Sequence, residues 1–351
     1  MSNKLPNGWK ECKLGEVIEL LYGKGLREQD RKPGNIPVYG SNGIVGYHNE
    51  YLVKGPGIII GRKGSVGEVK YSPVDFFPID TTYYVSLKEG MADIRFMYYF
   101  LLTLHIDEMN SHSAVPGLNR NDVYSLDVTL PPLPEQRAIA SVLSNLDDKI
   151  DLLQRENKTL EAMAETLFRR WFIEEAEDDW EEVKLGDFFP VITGKKDANF
   201  ATSDGLYPFF TCSQSVLRSP SYSFDGAAII LAGNGDFNVK HYVGKFEAYQ
   251  RTYVLIPYDA LYFGFLLTLI KYYLPIITNG YQGSVINFIT KPMIEKFKFR
   301  LPKRRDLIKD KLVYLNDLYK KVDINYAQIR TLTQLRDTLL PKLMSGKIRV
   351  V

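Results

Sequence analysis

A long stretch without glycine constrains this chain of 351 residues more than any other feature. It covers residues 134–172, and its only proline is the first residue, Pro134. Apolar residues recur along it at alternating steps of four and three, which is the spacing of a coiled-coil seam rather than of an ordinary surface helix. The pattern predicts a helix roughly 55 Å long. One such helix cannot bury its own seam, so a second helix must pair with it.

The chain contains a second stretch of the same kind at residues 308–343. Leu301-Pro302 precedes it, as Leu130-Pro-Pro-Leu-Pro134 precedes the first, and we expect Pro341 and Gly346 to end it. We predict that the two helices pair through a shared apolar seam. Its predicted residues are Ile139, Leu143, Leu146, Ile150, Leu153, Leu160, Leu167, Leu315, Leu318, Val322, Ile329, Leu332 and Leu339.

Three polar residues interrupt the predicted seams: Asn157 in the first helix, and Asn325 and Arg336 in the second. A buried Asn fixes the register of a coiled coil and lowers its stability. In the alternative interpretation, one or both Asn side chains turn toward solvent. Arg336 fits its seam poorly.

The two halves of the chain are repeats. Residues Trp9 to Val17 return without gaps as Trp180 to Phe188, and Phe100 to Leu104 return letter for letter as Phe265 to Leu269. Shorter matches follow in the same order: Thr82-Tyr83 with Thr252-Tyr253, Ile150-Asp151 with Val322-Asp323, and Thr159-Leu160 with Thr331-Leu332. This order predicts a globular unit, a helix, a second globular unit and a second helix.

The predicted fold is mixed α/β, with two globular α/β units in a pseudo-twofold repeat joined by two long antiparallel coiled-coil helices. Runs such as Gly57–Ile60 and Ala227–Leu231 predict buried strands, and Ile94–Ile106 predicts a helix. The helices run antiparallel in this prediction because the ends of a globular unit usually lie close together. The predicted boundaries are residues 1–133, 134–174, 175–303, 304–345 and a tail at 346–351.

Composition indicates a soluble cytoplasmic protein. Cys12 and Cys212 are far apart without a CxxC motif, which favours free thiols and no zinc site. The first residues lack the apolar run of a signal peptide. Residues 261–277 are the most apolar, but Lys271 and Pro275 interrupt them and we expect them to be too short to span a bilayer. A net charge of +2 neither requires nor excludes nucleic acid.

No motif of an enzyme active site occurs in the sequence. The chain lacks a GxxxxGK[ST] phosphate loop and a GxGxxG motif after a strand. Glu68-Val-Lys70 has the Glu-x-Lys pattern of many nucleases, but the Asp that precedes it in a nuclease site, within a Pro-Asp sequence, is missing. Metal spacing is missing among His48, His105, His112 and His241. The sequence therefore predicts a non-catalytic chain without a metal.

Both globular units place polar and basic residues on Gly-rich turns. Asn, Gln and Arg pair with base edges, while Lys and Ser bind phosphates. Any single loop residue is more often merely exposed to solvent, so the prediction depends on the duplication. The predicted DNA-binding residues are Ser41, Asn42, Arg62, Lys63, Ser65, Tyr71, Asn234, Asn238, Lys240, His241, Gln250, Arg251, Tyr281 and Gln282.

These motifs, in this order, resemble the specificity (S) subunits of type I restriction–modification enzymes over essentially the whole chain. The motifs are Gly61-Arg-Lys-Gly-Ser-Val-Gly67, Asp80-Thr-Thr-Tyr83, Leu130-Pro-Pro-Leu-Pro-Glu-Gln136 and Pro341-Lys-Leu-Met-Ser-Gly-Lys-Ile348. Two features depart from the pattern. Gly233-Asn-Gly-Asp236 replaces the Gly-Arg-Lys-Gly turn, and Lys303-Arg-Arg-Asp306 replaces Pro-Glu-Gln.

The resemblance implies that each globular unit is a target recognition domain for one half of a bipartite, asymmetric duplex site. The helices would set the spacer and dock two methyltransferase (M) subunits, and restriction/translocase (R) subunits would complete the complex. This chain would hold no cofactor, with S-adenosylmethionine on the methyltransferase partner. Two alternative interpretations explain less of the sequence. A coiled-coil scaffold with two protein-binding domains does not account for the duplicated loops, and a fused restriction enzyme would need motifs that the sequence lacks.

Overall fold

The fold was analysed in a computed structural model, which describes residues 6–109, 117–278 and 288–350. The chain divides into two compact units. The first unit contains Met1–Ile150 and Thr331–Val351, and the second contains Asp151–Arg330. Each unit encloses its own large hydrophobic core. The prediction that the two halves do not share one core is confirmed.

The elements of the described chain follow the same order in both halves, apart from one additional short strand, Phe77–Pro78, in the first half. The strands are β1 (Lys10–Lys13), β2 (Ile18–Tyr22), β3 (Ile36–Gly40), β4 (Gly43–His48), β5 (Gly57–Gly61), β6 (Val69–Ser72), β7 (Phe77–Pro78), β8 (Thr82–Leu87), β9 (Asp127–Leu130), β10 (Glu181–Lys184), β11 (Val191–Thr193), β12 (Tyr207–Phe210), β13 (Val216–Ser219), β14 (Phe224–Ala232), β15 (Val239–Ala248), β16 (Thr252–Leu255) and β17 (Lys298–Leu301). The α-helices are α1 (Ile94–Leu102), α2 (Arg120–Tyr124), α3 (Leu133–Arg169), α4 (Phe263–Thr278), α5 (Lys291–Glu295) and α6 (Lys309–Met344). We call β1–β9 with α1 and α2 the first domain, and β10–β17 with α4 and α5 the second domain.

The repeat is visible in the order of the strands. One sheet of the first domain has the order β2-β8-β5-β6, and the sheet of the second domain begins with the matching order β11-β16-β14-β15. In the first domain a separate sheet, β4-β3-β7, pairs β3 parallel to β7. In the second domain the long strand β15 pairs with both β14 and β12, so the two sheets become one.

The ends of each domain lie together. Strand β1 pairs antiparallel with β9 in the first domain, and β10 pairs antiparallel with β17 in the second. The buried indoles of Trp9 and Trp180 precede these pairs. This pairing confirms the expectation that a domain receives one helix and begins the next from the same end.

Local sequence explains the elements that form the domain cores. Strand β5 is buried along its whole length, as expected for a short apolar run. Gly57 is required there because a Cβ would lie 2.4 Å or so from the Phe76 ring, with no room for a side chain. Helix α1 starts where the Asp93 carboxylate accepts hydrogen bonds from the backbone N–H groups of Arg95 and Phe96. It packs on β5 and β6, as α4 packs on β14 and β15.

The two long helices run antiparallel within each unit, as predicted. In the first unit, Arg336 Nη1 lies 2.8 Å from Asp147 Oδ1. In the second unit, Lys321 Nζ lies 3.4 Å from Glu156 Oε1. Pro341 does not end α6, which includes this residue and continues to Met344, one residue before the predicted boundary at 345. Gly346 then adopts a φ of 67°, in the left-handed region that favours glycine after a helix.

The predicted seam residues are buried or half-buried in the helix pair. The buried ones are Ile139, Leu143, Ile150, Leu153, Leu315, Leu318 and Val322. The half-buried ones are Leu146, Leu160, Leu167, Ile329, Leu332 and Leu339. Leu315 and Leu318 also join the core of the second unit. A Cβ on Gly264 of α4 would lie 2.8 Å from the backbone of Leu315, so the sequence pattern missed how closely α6 packs on the domain.

One apolar helix of the described chain, Ala260–Thr278, could cross a membrane by length and composition. The expectation that this segment is too short is therefore wrong. Half of the most apolar part of this helix is buried inside the protein. Its Phe265 ring lies 4.6 Å from the ring of Phe172, within the core of the second unit. The segment is accordingly a core helix of that unit.

Candidate nucleic-acid interface

A frame of hydrogen bonds joins the loops at one end of the first domain. The Tyr83 hydroxyl donates to the Leu118 carbonyl at 3.2 Å. The Leu118 N–H donates to the Arg62 carbonyl at 2.9 Å, and the Arg62 N–H donates to the Thr81 carbonyl at 2.9 Å. Three segments that are distant in sequence are therefore fastened side by side at the end of β5.

The second domain contains the same frame. The Tyr253 hydroxyl donates to the Ile289 carbonyl at 2.8 Å. The Ile289 N–H donates to the Gly233 carbonyl at 2.7 Å, and the Gly233 N–H donates to the Arg251 carbonyl at 2.9 Å. The bonds to neighbouring segments match as well, from Gly23 to Thr82 and from Gly194 to Thr252.

The shared frame establishes which residues of the two domains occupy the same place. The equivalent pairs are Arg62 with Gly233, Lys63 with Asn234, Asp80 with Gln250, and Thr81 with Arg251. The sequence comparison aligned Gly61–Gly64 with residues 233–236. The frame shifts this alignment by one residue, because Ala232 occupies the place of Gly61 and Gly233 that of Arg62. Except for the tyrosine hydroxyl, the frame uses main-chain groups, so the side chains at these positions can differ between the domains without breaking it.

Arg62 is held in one orientation in the first domain. Its Nε and Nη2 donate to the Asp80 carbonyl at 3.2 and 2.6 Å. Its guanidinium carbon lies 5.1 Å from the centre of the Tyr22 ring. Arg120 approaches the same ring at 5.4 Å. A planar cation fixed by two contacts keeps less rotamer freedom and is therefore prepared for a directional contact with a ligand.

Tyr22 and Arg120 were missed by sequence reasoning. Tyr22 is 51% exposed although it ends a strand, and Arg120 is exposed at the start of α2. One sequence signal could have found Tyr22. It directly precedes Gly23, which is the counterpart of Gly194 in the repeat. Burial, followed by hydrogen bonding with Tyr22, raises the pKa of Tyr83 to about 12, so Tyr83 stays protonated at neutral pH.

Four other predicted residues lie beside Arg62. Lys63 and Asn42 are exposed, while Ser41 and Ser65 are half-buried. The Ser41 hydroxyl oxygen would be 3.2 Å from a Cβ on Gly64, which places the two turns in contact. The fifth prediction, a loop position for Tyr71, is wrong. Tyr71 lies within β6, and its ring packs against Tyr98 at 5.3 Å and against the Arg95 guanidinium at 4.7 Å.

In the second domain, three predicted residues line one open pocket of about 470 Å³: Asn234, Gln250 and Arg251. Gln250 and Arg251 are exposed, and Asn234 is half-buried. Phe288, which sequence reasoning missed, lines the same pocket and is 61% exposed. The Cys212 thiol donates to Asn234 Oδ1 at 3.0 Å and so restricts this amide. The pocket combines amides, a guanidinium and an exposed ring.

Two predicted residues support the loops from inside. Asn238 is buried, and its Nδ2 donates to the carbonyls of Cys212 and Asp236 at 2.8 and 2.7 Å. Lys240 Nζ donates to the carbonyls of Thr211 and Ser213 at 3.0 and 2.6 Å. Burial lowers the pKa of the Lys240 ammonium, against the effect of the nearby Cys212 and Asp236. Both side chains donate to the segment around Cys212 and support it, and their contact with DNA stays a prediction.

His241 also faces inward rather than toward the loops. Its side chain is 5% exposed, its Nε2 lies 3.1 Å from Asp323 Oδ1, and its ring packs on Tyr319 at 5.4 Å. It therefore connects β15 to α6 within the second unit. The last two predicted positions, Tyr281 and Gln282, lie outside the described residues. Within the described ranges, no group of three or more His, Cys, Asp or Glu side chains could hold a metal ion.

A family model described as the type I restriction modification DNA specificity domain matches the chain twice, over residues 6–162 and 177–334. The chain belongs to this family. Each match covers one domain and most of the helix that follows it. The family resemblance and the predicted architecture of two α/β domains with long helices are confirmed.

Relatives of this S-subunit family match over different lengths. The Escherichia coli type I restriction enzyme EcoDI specificity subunit is 40% identical over 176 residues, which are 48% of this chain and 39% of that protein. The Methanocaldococcus jannaschii type I restriction enzyme MjaIX specificity subunit is 23% identical over 99% of this chain and 95% of its own. A crystal structure of a type I restriction–modification S subunit from M. genitalium has a TM-score of 0.70, at 21% identity over 97% of both chains, and shows the same fold.

Proposed function

We propose that this chain is the DNA-recognition subunit of a type I restriction–modification complex acting in the cytoplasm, each domain contacting one half of a bipartite, asymmetric duplex site. The observation that carries the proposal is the shared frame, which presents different side chains in the two domains of a DNA specificity family. The frame holds the residues that differ between the two domains at one end of each sheet, and in this proposal a duplex contacts them there.

The first domain offers mainly cations and an exposed ring. Arg62 is ordered by Asp80 and Tyr22, and an ordered guanidinium suits bidentate bonds to guanine O6 and N7. Lys63 and Arg120 are exposed and suit contacts to phosphate oxygens. We expect this half-site to include a guanine.

The second domain offers amides at the equivalent places. Asn234 and Gln250 can each donate and accept one hydrogen bond, which matches adenine N7 and N6. Arg251 adds one cation to the pocket. Since the two sets of side chains differ, the two half-sites differ in sequence and the whole site is asymmetric.

The repeated helices support docking of two copies of one partner. Leu152 and Ile324 occupy repeat positions 172 residues apart and are 49% and 53% exposed. Met163 and Leu335 have the same separation and are 40% and 45% exposed. A large apolar side chain kept exposed at the same place in both repeats suits a protein partner. In this proposal the partners are two methyltransferase subunits that bind S-adenosylmethionine, with restriction/translocase subunits joining them, while the helix pair sets the spacer.

The proposal is tested by mapping modified adenines. The chain is co-expressed with its methyltransferase partner in a host that lacks other methylation, and a partner with an inactivated catalytic site is the control. We expect one split motif with a fixed gap, and exchange of one domain should change one half of that motif. A stable complex without new methylation would contradict the proposal and favour a scaffold, an alternative that family membership does not favour.

A further inference from the structure

A pair of buried amides lies in the helix interface of the second unit. Asn325 Nδ2 donates to Asn157 Oδ1 at 2.8 Å. Asn157 Nδ2 approaches the Val322 carbonyl at 3.5 Å. The two residues are 3% and 0% exposed, so neither turns toward solvent. An unpaired amide at this depth would lose its hydrogen bonds to water without replacement.

This polar pair has no counterpart in the repeat. The two repeats align at an offset of 172 residues, which places Ile150-Asp151 on Val322-Asp323. At this offset Asn157 aligns with Ile329, and Leu153 aligns with Asn325. In the antiparallel register of the Asn pair, Leu153, four residues before Asn157, is level with Ile329, four residues after Asn325. The repeat therefore places an apolar layer where strict internal symmetry would require a second Asn pair.

A second polar pair of the helices, in the first unit, is asymmetric in the same way. Arg336 Nη1 bonds Asp147 Oδ1 at 2.8 Å, and the Tyr99 hydroxyl donates to the other oxygen of Asp147 at 2.5 Å. The same shift converts Arg336 into Ala164 and Asp147 into Tyr319. The Arg336 side chain fits the seam because Asp147 pairs with it, although the sequence pattern alone marked it as a misfit.

An ion pair beside the Asn pair does not share this asymmetry. Glu156 pairs with Lys321 at 3.4 Å, and the shift converts Lys321 into Lys149. If two copies of α3 paired antiparallel in the same register, Glu156 of one copy would meet Lys149 of the other. This ion pair would form in either arrangement, so it does not discriminate between them.

We infer that Asn157 and Asn325 make the helix interface selective for α3 with α6 and against α3 with a second copy of α3. In a pair of two α3 helices, Asn157 would face Leu153 of the other copy twice. In a pair of two α6 helices, Asn325 would face Ile329 twice. Each unpaired buried amide disfavours such a pairing roughly tenfold or more.

The competing partner of each long helix is the same helix in a second copy of this chain. Both long helices carry apolar seams of similar composition, and apolar seams alone specify partner and register poorly. The Asn pair therefore favours α3 paired with α6 over α3 paired with the α3 of a second copy. The inference does not depend on the proposed DNA recognition, because it predicts the pairing of the helices and not their ligand.

The test uses two differently tagged full-length chains, with Cys12 and Cys212 replaced by Ser. One chain carries Lys149→Cys and the other carries Glu156→Cys, and they are co-expressed and treated with a short bis-maleimide. Only pairing of two α3 helices brings these thiols together. The control is one chain with Glu156→Cys and Lys321→Cys, which cross-links internally when α3 pairs with α6.

The seam is then made symmetric in two opposite ways. Asn157→Leu with Asn325→Leu makes both layers apolar, and Leu153→Asn with Ile329→Asn makes both layers polar. The chain with the native Asn157 and Asn325 should give no cross-linked dimer above the background. In each of the two double variants, the fraction of chains in the cross-linked dimer should rise roughly tenfold or more. The internal cross-link should form in all three seams.

Two results would overturn the inference. One is abundant cross-linked dimer in the native seam. The other is a dimer fraction that rises in neither symmetric seam, whether or not the internal cross-link forms. Since the two symmetric seams change polarity in opposite directions, a folding failure of one leaves the other to decide.

Discussion

The two domains present different chemistry on one main-chain frame. In the first domain, the Arg62 position carries a guanidinium held by the Asp80 carbonyl. In the second, the equivalent Gly233 carries no side chain, and a Cβ there would lie 2.5 Å from the Arg251 carbonyl oxygen. The comparison teaches that the frame is specified by backbone bonds, while the side chains that it displays are free to differ only where the local space allows.

The largest expected effect on stability comes from adding a methyl group at Gly233, within the frame of the second domain. Gly233→Ala should lower the free energy of unfolding by about 3 kcal/mol, because the new Cβ meets the Arg251 backbone and the Tyr253 ring. Binding to the second half-site should weaken while the first half-site is retained. Denaturant unfolding and binding to duplexes with one altered half-site measure the two effects.

Gly25→Ala is the matched control for Gly233→Ala. No atom lies within 4 Å of the Cβ that this change would add. Its stability should equal that of the unaltered chain within about 0.5 kcal/mol. Equal destabilisation by both changes would show that close approach at Gly233 is not the cause.

The next effect tests whether the first domain reads bases through Arg62. Arg62→Ala should weaken binding to the correct first half-site by about 1–3 kcal/mol and leave discrimination at the second half-site unchanged. Arg62→Lys keeps the charge but loses the planar donor pair, so it should restore little of the discrimination. Full rescue by Lys, or equal loss across all sequences, would indicate a phosphate contact instead.

A smaller effect separates contact from support in the second domain. Arg251→Ala should decrease the slope of log affinity against log salt by about one if the exposed Arg251 neutralises one phosphate. Lys240→Met should weaken the second half-site by loosening the turn that its Nζ holds, without changing that slope. Titrations of duplex binding at several salt concentrations measure both variants. An equal change of slope would place Lys240 at the DNA after all.

The smallest effect concerns Tyr83, whose hydroxyl supports the frame of the first domain. Its pKa of about 12 lies above the ordinary value of about 10, so the folded state holds this proton more tightly than the unfolded chain. The stability that Tyr83 contributes is complete below about pH 10 and is lost as pH rises toward 12. Tyr83→Phe should remove this part of the pH dependence, which denaturant unfolding at several alkaline pH values measures. An unchanged alkaline profile would exclude Tyr83 as its source.

The helix pair shows how far pattern reasoning reached. Periodicity predicted which side chains are buried because the geometry of a helix converts linear spacing directly into a face. It could not choose between a buried and a solvated Asn157, since both satisfy the same spacing. The choice depends on Asn325, 168 residues away, whose amide supplies the partner.

The candidate site was less accessible to the same reasoning. Lys240 and Asn238 have the composition of DNA-binding residues, yet their donors bind backbone carbonyls. Tyr22 and Arg120 lacked a motif and were missed, although they surround Arg62. The direction of a loop side chain depends on segments that the frame joins across long sequence distances, and no local pattern records that direction.

The amino-acid sequence alone determined the repeat, the two α/β domains, the antiparallel helices and the family, because each is written in spacing, order or motif. Tertiary structure alone decided which side chains the frame presents and which it uses internally. It also paired Asn157 with Asn325 and Arg336 with Asp147. The physical reason is that a buried polar group is stable only beside its partner, and the fold decides which distant residue becomes that partner.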